Sequence, residues 1–185
     1  GGYKKGVAEA LNNIGYVYTN RGDNAKALEM HKQSLKLAEE INDKECIAIT
    51  LNNIAYIYHN IGNIPQSIKY NERSLKIREE IGDEKGLAYS LNNIGNIYLD
   101  QEDYPKALDY FIKSLNLSKK RGDLRETALA YSNIGSIYDH QRDTAAAKEN
   151  YRSCLSISES INWKYGIATA MNNLASIYKR QGLLD

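Results

Sequence analysis

The chain has 185 residues, of which 42% are hydrophobic and 25% charged, a balance expected of a folded chain in water rather than a disordered tail. Lys and Arg total 24 against 23 Asp and Glu, so the basic excess that marks nucleic-acid binders is missing and no nucleic-acid partner is expected. The apolar runs fall far short of a membrane span, and no basic segment followed by an apolar one opens the chain, so neither membrane insertion nor a secretory signal is expected.

From the N-terminus, the first predicted helix carries Ala8, Leu11, Ile14, Gly15 and Tyr18 at helical spacing. A turn follows, and Asp23 is placed to cap a second helix through Ala27, Leu28, Leu35 and Ile41. Asp43 caps a third, where the pattern starts again: Thr50-Leu51-Asn52-Asn53-Ile54-Ala55 repeats Ala10-Leu11-Asn12-Asn13-Ile14-Gly15 at a spacing of 40. Asn63 and Pro65 open the next second-type helix, where a missing N–H costs little, and Gly82 supplies a left-handed residue to end it. Asp83 then leads into Ala88, Leu91, Ile94, Gly95 and Tyr98, with Asn92 and Asn93 among them. Asp103 and Pro105 lead into Ala107, Leu108, Leu115 and Leu117, ended by Gly122. Two more copies follow, Ala130-Tyr131-Ser132-Asn133-Ile134-Gly135 and Ala170-Met171-Asn172-Asn173-Leu174-Ala175. No strand signal interrupts them, and five first-type and four second-type helices are expected.

One such hairpin cannot bury its apolar face alone, so neighbours must stack. The expected fold is all-α, a solenoid of helix-turn-helix hairpins in a single array over 1–185. Its repeat units run about 6–45, 46–85, 86–125 and 126–165, with a partial unit 166–185. The small residue at Gly15, Ala55, Gly95, Gly135 and Ala175 lets paired helices approach closely. The tyrosine at Tyr18, Tyr58, Tyr98, Tyr138 and Tyr178 fills space between repeats with its hydroxyl still able to find a partner. Cys46 and Cys154 stand where other repeats carry small residues and form no ligand-spaced cluster, which favours buried, reduced thiols and a reducing compartment.

Leu91, Asn93, Ile94, Gly95, Tyr98, Ala107, Phe111 and Ser114 resemble the tetratricopeptide repeat pattern, and the resemblance covers essentially the whole chain. The family's usual period is about 34 residues. The longer period here is similar to that of kinesin light chains, Pins-type spindle scaffolds and bacterial tetratricopeptide sensor or regulator proteins. The resemblance implies a right-handed superhelical solenoid with the first-type helices lining its concave face. His31 and Asn71 depart from it by replacing the second-helix aromatic, and Lys148 replaces an apolar residue.

By that resemblance the groove residues are Asn12, Asn13, Asn52, Asn53, Tyr56, Tyr89, Asn92, Asn93, Asn96, Asn133 and Asn172. A carboxamide offers donor and acceptor together, so a ladder of them can hold the backbone of an extended peptide while tyrosines read its side chains. The Asn12 row is expected to face the ligand. For the Asn13 row two uses stay open, ligand contact and the fixing of helix stacking. The family's carboxylate clamp needs Lys or Arg in these rows, which hold only Asn and Ser, so that ligand class is not expected. Lys179 and Arg180 make a basic patch opposed by Asp100 and Asp139.

His31, His59 and His140 lack ligand-spaced partners, so no metal, no cofactor and no catalytic residue is expected. Arg21-Gly22-Asp23 and Arg121-Gly122-Asp123 fall where the repeat requires a Gly-Asp turn. Gly2-Tyr3-Lys4-Lys5-Gly6 aligns with the linker Gly82-Asp83-Glu84-Lys85-Gly86, and the chain stops after a first-type helix. A piece of a longer array is therefore expected, with an added Gly1-Gly2 as the alternative at the N-terminus.

The function expected is a non-enzymatic protein- or peptide-binding scaffold, part of a larger signalling or adaptor protein, in the cytoplasm. The alternatives are a spacer that self-associates through the terminal helix, with Ile167, Leu174 and Ile177 exposed, or the sensor part of a bacterial kinase or regulator, for which a periplasmic location also fits. The abundance of Asn, Ile, Lys and Tyr agrees with a bacterial source.

Overall fold

The computed structural model describes residues 2–182. Nine α-helices and no strand occur among them: α1 (Gly2–Asn20), α2 (Asn24–Glu40), α3 (Lys44–Asn60), α4 (Ile64–Ile81), α5 (Glu84–Asp100), α6 (Tyr104–Arg121), α7 (Leu124–His140), α8 (Thr144–Ser160) and α9 (Lys164–Arg180). The chain divides into two compact units, Gly1–Ile97 and Tyr98–Asp185, with the boundary inside α5.

One local device sets the boundaries between successive helices. A residue with positive φ recurs at intervals of twenty: Gly22, Asn42, Gly62, Gly82, Glu102, Gly122, Arg142, Asn162 and Gly182. After each of these up to Asn162, the next residue donates its N–H to the carbonyl five positions back, as in Asp23 to Tyr18, Asp43 to Ala38 and Asp143 to Tyr138. That bond is the six-to-one closure of a Schellman motif. The side chain of the same residue then accepts from the first turn of the following helix, at Asp23, Asp43, Asn63, Asp103, Asp123 and Asp143. Asp83 accepts likewise from the Gly86 N–H at 2.9 Å. One side chain thus closes one helix and opens the next. Trp163 takes this place before α9 without a capping bond; its ring packs where a Cβ on Gly166 would come within 2.2 Å.

In the first unit α1 pairs with α2 and α3 with α4, while α2 joins the hairpins by packing on α3. The core between them holds Ala8, Leu35, Ala38, Cys46, Ile47, Leu51 and Ile54. In the second unit α7 packs on α6 and α8, and α8 on α9. Phe111, Leu115, Ala130, Ile134 and Ile137 fill one cluster there, and Tyr151, Ala147, Leu174 and Ile177 another. Both cysteines are buried and unbridged.

Two expectations change, and one departure from the repeat is accounted for. Ile14 is 45% exposed although its repeat equivalents Ile54 and Ile94 are fully buried, because no described helix covers that side of α1. Leu174 and Ile177 are buried against α8, and Ile167 is half-buried, so these three do not form an open apolar face for self-association. Lys148 keeps its apolar role through its stem. The side chain lies over the Tyr178 ring, Nζ 4.6 Å from the centroid, and the ammonium reaches Gln181 Oε1 at 2.6 Å.

Candidate functional site: a tyrosine- and amide-lined face of the first unit

In two hairpins a glycine on the first helix lies tight against the residue sixteen positions on. A Cβ on Gly15 would sit 2.7 Å from His31 Cε1, and one on Gly135 2.8 Å from the Tyr151 ring. At the smaller Asn71 the matching residue is Ala55. Volume is therefore exchanged between the two positions, as close packing demands.

This exchange decides what the asparagines do. Asn52 is 2% exposed and wholly engaged inside the stack. Its Nδ2 donates to Asn71 Oδ1 at 2.8 Å. Its Oδ1 accepts from Ser74 Oγ (2.9 Å), Arg78 Nη2 (3.0 Å) and Ser90 Oγ (3.1 Å). Arg78 is itself buried and pairs with Asp83 Oδ2 at 2.6 Å. The expectation that Asn52 faces a ligand is corrected: the guanidinium drew its amide inward, since a buried cation needs every acceptor within reach. Asn12 is half-buried and also turned inward. Its Oδ1 faces His31 Nδ1 at 2.9 Å and accepts from Asn53 Nδ2 at 3.0 Å.

Asn53 is thus both a stacking bond between α1 and α3 and a half-exposed surface residue. Asn13 is exposed, and Asn92, Asn93 and Asn96 are half-buried. In the second unit Asn133 is half-buried on α7 and Asn172 exposed on α9. Arg180 pairs there with Asp139, as the mixed charge of that patch implied.

Aromatic rings stand among the amides. Tyr16, Tyr56 and Tyr89, from α1, α3 and α5, are 58%, 52% and 49% exposed. With Thr19, Asn20, His31 and Asn53 they line a cavity of about 200 Å³. A second cavity of about 240 Å³ is lined by Tyr56, His59, Asn60, Ser67, Asn71, Asn93, Asn96 and Ile97. Burial holds the His31 imidazole down at about 4 from 6.5, so the ring is neutral at pH 7. Thr19, Asn20, His59 and Asn60 stand on the helical face that the resemblance assigns to the groove, beside Tyr16 and Tyr56. His31, on a second-type helix, was not among the expected site residues; its departure from the repeat's aromatic was the signal.

The geometry defines paired-helix repeats, and in the first unit α1, α3 and α5 present one polar, aromatic-studded face. The tetratricopeptide repeat model matches residues 6–80 and 86–160, and this chain belongs to that family. No protein of curated function matches its sequence. Solved structures share the fold. BtubC (BKLC) from P. vanneervenii superposes with a TM-score of 0.85 at 21% identity over 97% of this chain and 75% of its own. A signal transduction ATPase with numerous domains from Pyrococcus horikoshii, bearing a tetratricopeptide repeat sensor, gives 0.84 at 20% identity over 95% of this chain and 27% of its own. A Rap protein complexed with competence and sporulation factor gives 0.75 at 20% identity over 93% of this chain and 48% of its own. This chain therefore spans about three quarters of the first, a quarter of the second and half of the third. The class is that of protein-interaction scaffolds, and no described helix is long and apolar enough to cross a membrane.

Proposed function

We propose that this chain is a peptide-binding module that holds an extended segment of a partner protein along the face of α1, α3 and α5. The observation that carries this reading is the exposure of Tyr16, Tyr56 and Tyr89 on one face, beside amides that retain hydrogen-bonding capacity. Half-exposed tyrosines offer large contact area at small conformational cost, and carboxamides can bond to any peptide backbone. The inward bonds of Asn12 and Asn52 favour a spacer role for those two residues only; they leave the tyrosines without a use. The Rap protein solved with a bound factor and the tetratricopeptide sensor of the signalling ATPase support recognition as the role of the fold within a larger signalling protein. Buried, free Cys46 and Cys154 accord with the cytoplasm.

The reading is tested by selecting binders from a random-peptide library on the whole chain and measuring their affinity for Tyr56→Ala and Tyr89→Ala variants. Each truncation is expected to weaken binding several-fold with an unchanged melting temperature. Selected peptides that bind both variants as tightly as the parent would place the site elsewhere.

A further inference from the structure

The two cavities of the first unit are one site written twice. Moving along the sequence by one repeat converts Tyr16 into Tyr56, Thr19 into His59, Asn20 into Asn60, His31 into Asn71, Asn53 into Asn93 and Tyr56 into Asn96. The residues before the shift line the first cavity, and those after it line the second. Tyr56 belongs to both and is the wall between them. At about 200 and 240 Å³ each is smaller than the ~300–1,000 Å³ typical of pockets for whole small molecules, and is sized for one side chain.

The first cavity has an unsatisfied floor. His31 is fully buried, and its Nε2 has no hydrogen-bond partner. Asn12 Oδ1, an acceptor only, receives Asn53 Nδ2 and faces His31 Nδ1, so Nδ1 carries the ring proton. The neutral ring is left with Nε2 as an acceptor and nothing to accept from. At the equivalent place in the second cavity, Asn71 is 2% exposed and spends its Oδ1 on Asn52. The carboxamide Nδ2 is what it brings to that cavity. The first cavity therefore asks for a donor, and the second, ringed by amides, for a polar side chain that also accepts.

Spacing restricts the ligand further. Helices in contact lie roughly 8–10 Å apart, which sets the step from one cavity to the next. In polyproline II geometry, residues i and i+3 share a face and lie roughly 9 Å apart. Same-face residues of a β-strand are roughly 7 or 13 Å apart and match that step less well.

We infer that the first unit reads an extended peptide at two side chains three apart. A donor-bearing aromatic, tyrosine or tryptophan, sits between Tyr16 and Tyr56 and bonds His31 Nε2, and an amide or hydroxyl side chain occupies the cavity floored by Asn71. This rests on the peptide-binding reading above and gives it a sequence rule. Tyr16 and Tyr56 must swing aside to admit a group to Nε2, a motion that exposed rings make in picoseconds to nanoseconds.

The test uses library-selected peptides and synthetic pairs differing only by Tyr or Phe at the first position, against the parent chain and His31→Phe. The substitution copies the residue this chain already carries at Phe111, which supports its folding, and circular dichroism checks it. The expected result is enrichment of Tyr or Trp followed three residues later by Asn, Gln, Ser or Thr. The parent should favour the Tyr peptide about ten-fold, and His31→Phe should erase that preference. Binders that Tyr56→Ala weakens but that show neither the spacing nor a His31-dependent preference would overturn this inference and leave the peptide-binding reading standing. Binders indifferent to Tyr56→Ala and Tyr89→Ala would overturn both.

Discussion

Asn52 Oδ1 accepts from Arg78 and Ser90, while the single Ser74 hydroxyl proton has the Ala48 carbonyl at 2.8 Å as another acceptor, so Asn52→Ala leaves two buried donors without that acceptor. With each stranded group costing ~1–3 kcal/mol and partial rearrangement among them, a loss of about 2–4 kcal/mol is expected in urea denaturation. Asn13→Ala, at the exposed neighbouring position, should stay within about 0.5 kcal/mol of the parent. Arg78 occupies a position held by Ala38, Ser118 and Ser158 in the other repeats, and a Cβ on Gly86 would lie 1.3 Å from its Nη1. Gly86→Cys alone should therefore push the guanidinium off Asn52 and Asp83, and Arg78→Ala alone should leave a hole and unpaired acceptors. Together they recreate the Ala38 and Cys46 pair of the preceding repeat, so the double variant should be at least 1 kcal/mol more stable than the sum of the singles, roughly the coupling seen between touching residues. A strictly additive cycle would mean that the two positions do not share this space.

His31 makes stability depend on pH in a definite direction. Its folded value of about 4 lies below the ordinary 6.5, because burial disfavours the charged ring. The neutral form is favoured by folding, so this contribution is fully present above pH 6.5 and is lost as pH falls toward 4. Between pH 7 and pH 5 the linkage amounts to about 2 kcal/mol. Denaturation of His31→Phe over that range should show a shallower slope than the parent; parallel curves would mean that the ring finds charge stabilisation in the fold.

At the level of elements, the turns carry an uneven strain. Gly22, Gly62, Gly82 and Gly122 take the left-handed position freely, but Glu102 (φ 59°) and Arg142 (φ 63°) occupy it with a full side chain. The cost of a Cβ there is about 1–2 kcal/mol, partly offset by the greater unfolded-state freedom of glycine. Glu102→Gly and Arg142→Gly are each expected to stabilise by about 0.5–1 kcal/mol in thermal or urea unfolding. Unchanged or lowered stability would show that the side chains make compensating contacts. Gly82 and Gly122 are legible in sequence because glycine announces its conformation. Glu102 and Arg142 are not, and only the aspartate after each, Asp103 and Asp143, gives the turn away through the bond it must close.

Across the molecule, repetition made the helices, their order and their caps readable, since a hairpin copied every forty residues has few ways to bury its apolar side. The same repetition hid the differences within the site. Asn12, Asn52 and Asn172 look alike in sequence, yet they are half-buried, buried and exposed, because the inward neighbour changes from His31 to Asn71 with Arg78 behind it, and no described helix follows α9. Departures from the repeat, such as His31, Asn71 and Arg78, were therefore more informative than the ladder itself. Leu174 and Ile177 show the converse: a terminal helix still has one partner, and α8 covers them.

The central claim, that a peptide lies along α1, α3 and α5, is tested most directly by mapping chemical-shift changes on the isotope-labelled chain as a library-selected peptide is added. The largest changes are expected at Tyr16, Asn53, Tyr56, Tyr89 and Asn93, with the outward faces of α2 and α4 unmoved. Changes centred on α2 and α4, or confined to the second unit, would contradict the account.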